Sequence, residues 1–331
     1  MSIRYSKQIF KTVNEAFEQK RAAALRRQTE NRAAAAKKDA RFTGIERELA
    51  LTVSELISAV AEGNGAEEKT RAAREKNLSL QSERRALLKK YGLPDDFLDI
   101  KYECKKCGDE GFVGAEMCSC YADALKAEAH KTFNLSIHMP DATFETFDTS
   151  LYTGDAPEDD MTPRENAELA LKACRRFVRD FSKSDENILF TGKNGLGKTH
   201  LSSAIAHALI DEGFDVVYET AGAIFTLMED VRFGRISEEA QYRTDRLSQC
   251  DLLIIDDLGS EFTTQFVRAA LFSVVNSRLM SDKKMIISTN LTPEAIGELY
   301  DERVYSRIAG RFTTIELYGD DIRQILKERR R

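Results

Sequence analysis

The sequence predicts an α/β protein: a mostly parallel sheet with helices on both faces, preceded by a helical arm and a small cysteine-rich module. From about residue 140 onward, short apolar runs alternate with helical patterns, as they do when parallel strands are joined by crossover helices. Four of the six cysteines crowd into residues 104–120. Ahead of them, apolar residues recur at the three-and-four spacing of a helix face.

The bulk numbers bound the possibilities. A chain of 331 residues is long enough for at least two folding units. With 42% hydrophobic and 31% charged residues it has the composition of an ordinary soluble protein. No run of about eighteen apolar residues predicts a membrane span. The opening "MSIRYSKQIF" lacks the apolar stretch of a secretory signal, so the cytoplasm is the expected compartment. The net charge of −6 conceals an asymmetry: residues 1–100 carry 20 Lys/Arg against 15 Asp/Glu, and the remainder 29 against 40. A chain this acidic is not expected to coat nucleic acid, and any DNA contact should be local.

Residues 1–100 read as helix. Ile45, Leu49, Val53, Leu56, Ile57 and Val60 share one face, "GNG" at 63–65 interrupts it, and a second helix resumes at Ala66. It runs through Leu78, Leu87 and Leu88 to Tyr91, where Gly92 and Pro94 stop it. The stretch "RRQTENRAAAAKKDAR" favours helix but offers little to bury. Thin apolar stripes on long helices point to a partner-docking, coiled-coil-like arm, because such a stripe must be covered by something. A solvated helix is the alternative.

Residues 101–130 hold "YECKKCGDEGFVGAEMCSCYADAL", in which Cys104, Cys107, Cys118 and Cys120 sit in two close pairs separated by glycines. Two turns can bring four thiolates to one point, and tetrahedral zinc suits that donor set in a module too small for its own core. An iron–sulfur cluster and ordinary reduced cysteines remain alternatives. Cys174 has the opposite character. It falls on the apolar face of Ala170, Phe177, Val178 and Phe181, where a core thiol is expected.

The domain from residue 135 to 331 opens with an acidic loop, "GDAPEDD", and a helix begun by Thr162 and Pro163 and running to about Phe181. Strands are expected at 188–191, 215–219, 252–256, 285–289 and 313–317. After the first comes "GKNGLGKTH", residues Gly192, Lys193, Asn194, Gly195, Leu196, Gly197, Lys198, Thr199 and His200, which fits G-x-x-x-x-G-K-[ST]. It lies between an apolar strand and a helix, where glycines let backbone N–H groups turn onto phosphate oxygens at the positive end of the helix. Lys198 would reach the outer phosphates, and Thr199 would hold Mg²⁺. "LLIIDD" then supplies Asp256 as a magnesium ligand and Asp257 as a general base, with a helix cap as the alternative for Asp257. Asn290 ends the strand "MIISTN", placed either to touch the terminal phosphate or to begin the turn before Pro293. Arg307 and Arg323 are the arginines expected to meet charge developing on that phosphate.

These motifs, together with "LLIIDDLG", "STN", "RVYSRIAGRF" and "GDDIR", resemble the DnaC/DnaI and IstB group of AAA+ ATPases, the replicative helicase loaders and transposition helpers. The similarity spans roughly residues 135–331. The cysteine cluster and helical region ahead of it look like the loaders in particular. The resemblance implies an ATP-dependent protein that self-assembles as a homo-oligomer. It would hold a ring helicase of the DnaB type by its N-terminal region, contact single-stranded DNA, and let go on hydrolysis. By similarity Arg307 matches the trans-acting arginine finger, Arg323 the sensor-2 arginine and Asn290 sensor 1. The stretch "YETAGAIFTLMEDVRFGRI" resembles the family's insertion for assembly and DNA, with Phe233 between Arg232 and Arg235 as a stacking element, or else an ordinary helix and loop. Two departures stand out: an aspartate at 257 where many such ATPases have glutamate, and only 14 residues after the last strand, which leaves a minimal lid. An IstB-like transposition helper, a nucleotide-locked adaptor without turnover and a small-molecule kinase are the other readings. The kinase lacks an evident acceptor pocket and lid.

Overall fold

The structure is a computed structural model that describes residues 3–62, 66–134, 139, 141–155, 161–234 and 237–329. The expected break at 63–65, the side chains of Leu56, Ile57 and Val60, residues 156–160 of the acidic loop, Arg235 and the last two arginines lie outside what it describes. Contacts divide the chain into two compact units, residues 12–122 and residues 1–11 with 123–331.

Helices dominate the first unit: α1 (Lys7–Lys38), α2 (Arg41–Glu62) and α3 (Ala66–Lys90). The alanine-rich stretch is indeed helical through Lys38, and what it buries is small, with Ala35 packed inside. Its polar side chains are used instead: Gln28 Nε2 donates to the Leu98 carbonyl (3.0 Å) and Asn31 Nδ2 to that of Phe97 (2.9 Å). Helix α2 packs on α3 and turns Phe42, Ile45 and Thr52 inward, while Val53 is 50% exposed. The sequence pattern favoured Val53 for its side chain. The pairing with α3 favours Thr52, because Asn77 Nδ2 donates to its hydroxyl at 2.7 Å. Leu78 likewise stands out in solvent, and Leu88 joins Ala35, Phe42 and Leu98 in a small core. Arg41 grips Glu83 and Glu48 across the exposed side. The unit continues through the hairpin β1 (Phe112–Val113) and β2 (Glu116–Met117) into α4 (Ser119–Asn134).

The second unit is a parallel five-stranded sheet between helices. After a 3₁₀ turn at Thr149–Leu151 come α5 (Pro163–Arg179), β3 (Asn187–Thr191), α6 (Lys198–Asp211), β4 (Val216–Thr220), α7 (Ala221–Arg232), α8 (Glu238–Gln249) and β5 (Leu252–Leu258). Then follow α9 (Gln265–Met280), β6 (Lys284–Thr289), α10 (Pro293–Leu299), α11 (Glu302–Arg311), β7 (Phe312–Glu316) and α12 (Ile322–Arg329). Helix α5 begins as its sequence dictates: the Thr162 hydroxyl accepts from the Glu165 N–H, the Glu165 carboxylate accepts from the Thr162 N–H, and Pro163 fills a first-turn position needing no donor. Its buried face holds Ala170, Cys174, Phe177 and Val178. Strand order is β4-β5-β6-β3-β7, all pairs parallel. Both faces of β3, β5 and β6 are covered, which is why these segments read as unbroken apolar runs. From β3 the chain crosses β6 and β5 to reach β4, and β7 later lies on the other side of β3, which leaves a crevice at the carboxyl end of β3, the place where open α/β sheets bind ligands.

One buried charge ties the sheet's amino end together. Arg278 on α9 is fully buried and donates to the carbonyls of Leu247 (2.7 Å), Cys250 (3.1 Å) and Lys284 (2.7 Å), and to the Cys250 thiol. It thereby satisfies carbonyls at the end of α8 that the helix itself leaves orphaned. Arg278→Leu keeps the bulk but strands these acceptors, and is expected to cost about 3 kcal/mol. The check is a fall in the midpoint of denaturant unfolding.

Candidate functional site

The phosphate-type loop, residues 192–197, joins the end of β3 to the start of α6 as its spacing requires. Glycine is obligatory at two of its turns. Gly195 has φ +82°, and a Cβ there would lie 2.0 Å from the Asp321 carboxylate; Gly197 has φ +86°, and a Cβ would lie 2.6 Å from the Tyr152 hydroxyl. The same neighbours fasten the loop: Tyr152 donates to the Leu196 carbonyl (2.7 Å), and the Ile322 N–H donates to that of Gly195 (3.2 Å). Lys198 Nζ curls back onto the carbonyls of Gly192 (2.6 Å) and Lys193 (2.8 Å). Burial pushes its pKa down, opposed by the charges of Asp256 and Asp257.

Strand β5 delivers the two carboxylates differently. Its register slips between Ile255 and Leu258, and Asp257 takes φ +58°, a left-handed conformation that Asp tolerates better than most residues. That bulge keeps Asp256 buried and leaves Asp257 exposed. Asp256 is 7% exposed and receives three hydroxyls: Thr199 at 3.1 Å, Tyr218 at 2.8 Å, and Ser288. The Ser288 oxygen in turn accepts the Asp257 N–H (3.1 Å). A threonine hydroxyl and a carboxylate side by side form an all-oxygen donor set, which fits a hard divalent cation such as Mg²⁺.

Asn194 to His200, Asp256, Asp257 and Arg323 line one cleft of about 550 Å³. Its other wall is apolar, made by Phe147, Leu151, Tyr152, Ile322 and Leu326. One end can therefore take phosphates and the other a flat apolar group. His200 lines the cleft but spends its Nε2 on the Thr143 carbonyl (2.9 Å), holding the Phe147 segment against α6. Burial lowers its pKa.

Four expected residues stand apart from this cleft: Gly192, Lys193, Asn290 and Arg307. Gly192 and Lys193 contribute their carbonyls to Lys198, and neither they nor Asn290 are among its lining residues. The Asn290 side chain is exposed and lies beside Gly259, in the loop after β5. Arg307 on α11 is held on another face: its Nε donates to Asn276 Oδ1 (2.8 Å), and its guanidinium lies 4.6 Å over the Phe272 ring. At the end of α7, Arg232 lies 5.2 Å over Phe266, and Phe233 is 68% exposed. Sequence reasoning missed Tyr218, Ser288, Tyr152 and Phe147. Ser288 left a trace, a polar residue inside an apolar strand; the other three gave none.

In the other unit, the four sulfurs of Cys104, Cys107, Cys118 and Cys120 lie within 4.8 Å of one another. Two of the separations are 3.8 Å (Cys104–Cys118) and 3.5 Å (Cys107–Cys120). A zinc ion with about 2.3 Å bonds sits in a sulfur tetrahedron of edge about 3.8 Å. An iron–sulfur cluster would place its thiolates on different irons and spread them further, so this cluster fits a single ion. Buried Asp109 accepts the N–H groups of Glu103 (2.9 Å) and Cys104 (2.7 Å), and the Gly111 N–H donates to Cys107 Sγ. The backbone N–H groups of Cys107 and Lys106 bring the Cys104 thiol down to about 6, while burial pushes Cys120 up.

A glycine loop between a central parallel strand and a helix, facing a carboxylate on a nearby strand, defines a P-loop nucleotide-binding protein. The chain belongs to the family described as IstB-like ATP binding protein, which matches residues 130–317, more than half its length. It is 32% identical over 139 residues to the replicative helicase loader DnaC of Escherichia coli K12, covering 42% of this chain and 56% of that one. It is 28% identical over 158 residues to DnaC of Buchnera aphidicola from Acyrthosiphon pisum, covering 47% and 64%. The chain thus spans little more than half the length of these relatives. A crystal structure of the DnaC helicase loader is similar at 21% identity and TM-score 0.45, covering 54% of this chain and 97% of that one. Among the described residues, no helix is long and apolar enough to cross a membrane.

Proposed function

We propose that the protein is an ATP-dependent loader of a replicative DNA helicase, in which ATP binding drives self-assembly and hydrolysis drives release. The observation that carries this is the division of the arginines: Arg323 lines the cleft, whereas Arg307 is braced away from it by Asn276 and Phe272. An arginine needed for the reaction but held off its own cleft is available to a neighbouring copy's cleft. The relatives named replicative helicase loaders supply the biological setting. In this reading residues 1–100 dock a DnaB-type ring helicase, residues 101–130 form a zinc module, and residues 135–331 form the ATPase with α12 as its lid. The setting is the cytoplasm. Single-stranded DNA would meet the face that carries Arg232 and Phe233.

The chemistry assigned to each side chain follows from position. Lys198 leaves its carbonyls for the outer phosphates, and the loop N–H groups and the amino end of α6 take the rest. Thr199 and Asp256 would hold Mg²⁺, which supplies charge neutralisation on the phosphate oxygens when bound. Asp257 orients the attacking water and accepts its proton, and being one methylene shorter than glutamate, it makes turnover slow. Arg323 steadies the terminal phosphate in cis, Asn290 at the carboxyl end of β6 is assigned to contact it, and Arg307 arrives in trans.

Arg307→Ala is expected to keep ATP binding but to lose turnover by about 10³-fold in the assembled state. Mixing it with Lys198→Ala, which has an intact Arg307 but a disabled cleft, should restore activity. No recovery on mixing would remove the trans role. A second reading, an IstB-like helper of transposition, is favoured by the family description. Capture of a transposase rather than a ring helicase by the full chain with ATP would select it.

A further inference from the structure

The acidic side chain expected to hold the metal, Asp256, is positioned from β4, a strand that carries none of the phosphate-loop, carboxylate or arginine motifs. Tyr218 lies in the middle of β4, at the sheet edge, with its ring 3% exposed and set edge-on to Phe133 at 5.7 Å. Its hydroxyl is 2.8 Å from Asp256 Oδ2. Strand pairing brings them together: Thr220 on β4 is level with Asp256 on β5, so Tyr218 sits two residues back and reaches forward along the sheet. On the other side, β6 offers the Ser288 hydroxyl to Oδ1.

A carboxylate has about four lone-pair positions. Tyr218 and Ser288 take one on each oxygen from neighbouring strands. Those left are the ones now approached by Thr199, at 3.1 and 3.3 Å, on the cleft side. Rotation of the carboxylate would break both strand-borne bonds at once. A phenol carries a proton and a carboxylate carries none, so Tyr218 is the donor of this bond.

We propose that Tyr218 is a positioning residue for magnesium: its hydroxyl locks the Asp256 carboxylate in the rotamer that presents its free lone pairs to Thr199 and the cleft. The proposal rests on the reading of Asp256 as the magnesium-holding carboxylate. Partners that fix a metal-holding carboxylate typically govern metal affinity by about ten- to a hundredfold.

The test is Tyr218→Phe, which keeps the ring and its packing and removes only the hydroxyl. The fluorescent nucleotide mant-ATP is titrated into the full-length protein once with excess Mg²⁺ and once with excess EDTA. The wild-type protein is expected to bind more tightly with Mg²⁺. Tyr218→Phe is expected to lose about tenfold of that gain while its affinity in EDTA stays unchanged. Turnover should then need more Mg²⁺ and recover when Mg²⁺ is raised. An undiminished gain would overturn the proposal, as would an equal fall in both buffers, which would mark Tyr218 as a packing residue only. Asp256→Asn separates the two levels of the argument. If that variant loses the gain and Tyr218→Phe keeps it, only the Tyr218 role is wrong; if Asp256→Asn keeps it as well, the magnesium reading of Asp256 falls and takes the proposal with it.

Discussion

Lys198→Ala is expected to abolish retention of ATP at ordinary working concentrations. The side chain is half-buried among Gly192, Asp256, Asp257 and Arg323, in a cleft where water competes poorly for a phosphate oxygen. A charge-assisted bond at such a site is worth about 3 kcal/mol, or about a hundredfold in affinity. The loss should fall on binding and not on folding, because the bonds that Lys198 makes in the free protein go to two carbonyls of a partly exposed loop. Equilibrium binding of mant-ATP measures it, with circular dichroism and zinc content as controls. Tight binding by the variant would mean that the loop is not the phosphate site, and the loader, the transposition helper and the adaptor without turnover would all lose their basis.

Removal of zinc is expected to unfold the cysteine module. The hairpin Phe112–Met117 leaves Phe112, Val113 and Met117 exposed, so little apolar burial supports it. Folding of such a segment depends on the metal, whose binding to four thiolates is worth about 10 kcal/mol or more. Chelation, or Cys107→Ser with Cys118→Ser, should expose the amides of residues 102–122 to rapid hydrogen exchange and leave ATP affinity unchanged. Elemental analysis should find one zinc per chain. A purified protein with far less metal and a protected module would remove the zinc assignment.

Several parts of this architecture were legible residue by residue. Thr162 and Pro163 announce a helix start, and the structure completes it with Glu165 through bonds made within four residues. The five strands fell where apolar runs placed them, and the glycine loop between β3 and α6 could be located from spacing alone. Val53 was misjudged because hydropathy favours it over Thr52, and only the pairing of α2 with α3 gives Thr52 a partner. Arg278 looks like any surface arginine until carbonyls from the end of α8 and the start of β6 surround it.

By itself, then, the sequence determined what chemistry is possible: the loop geometry, the carboxylates near the end of β5, the four thiolates and the alternation that builds a parallel sheet. Each of these is written in residues near one another along the chain, where backbone geometry and side-chain period act directly. The tertiary structure decided which groups converge. Tyr218 meets Asp256 across 38 residues, Ser288 meets it across 32, and Tyr152 meets the loop across 44. Sheet order and register create those meetings, and strand pairing depends on the packing of the whole domain and not on any local run of residues. For the same reason the sequence named both Arg307 and Arg323 for the terminal phosphate, while only the fold put one in the cleft and braced the other outside it.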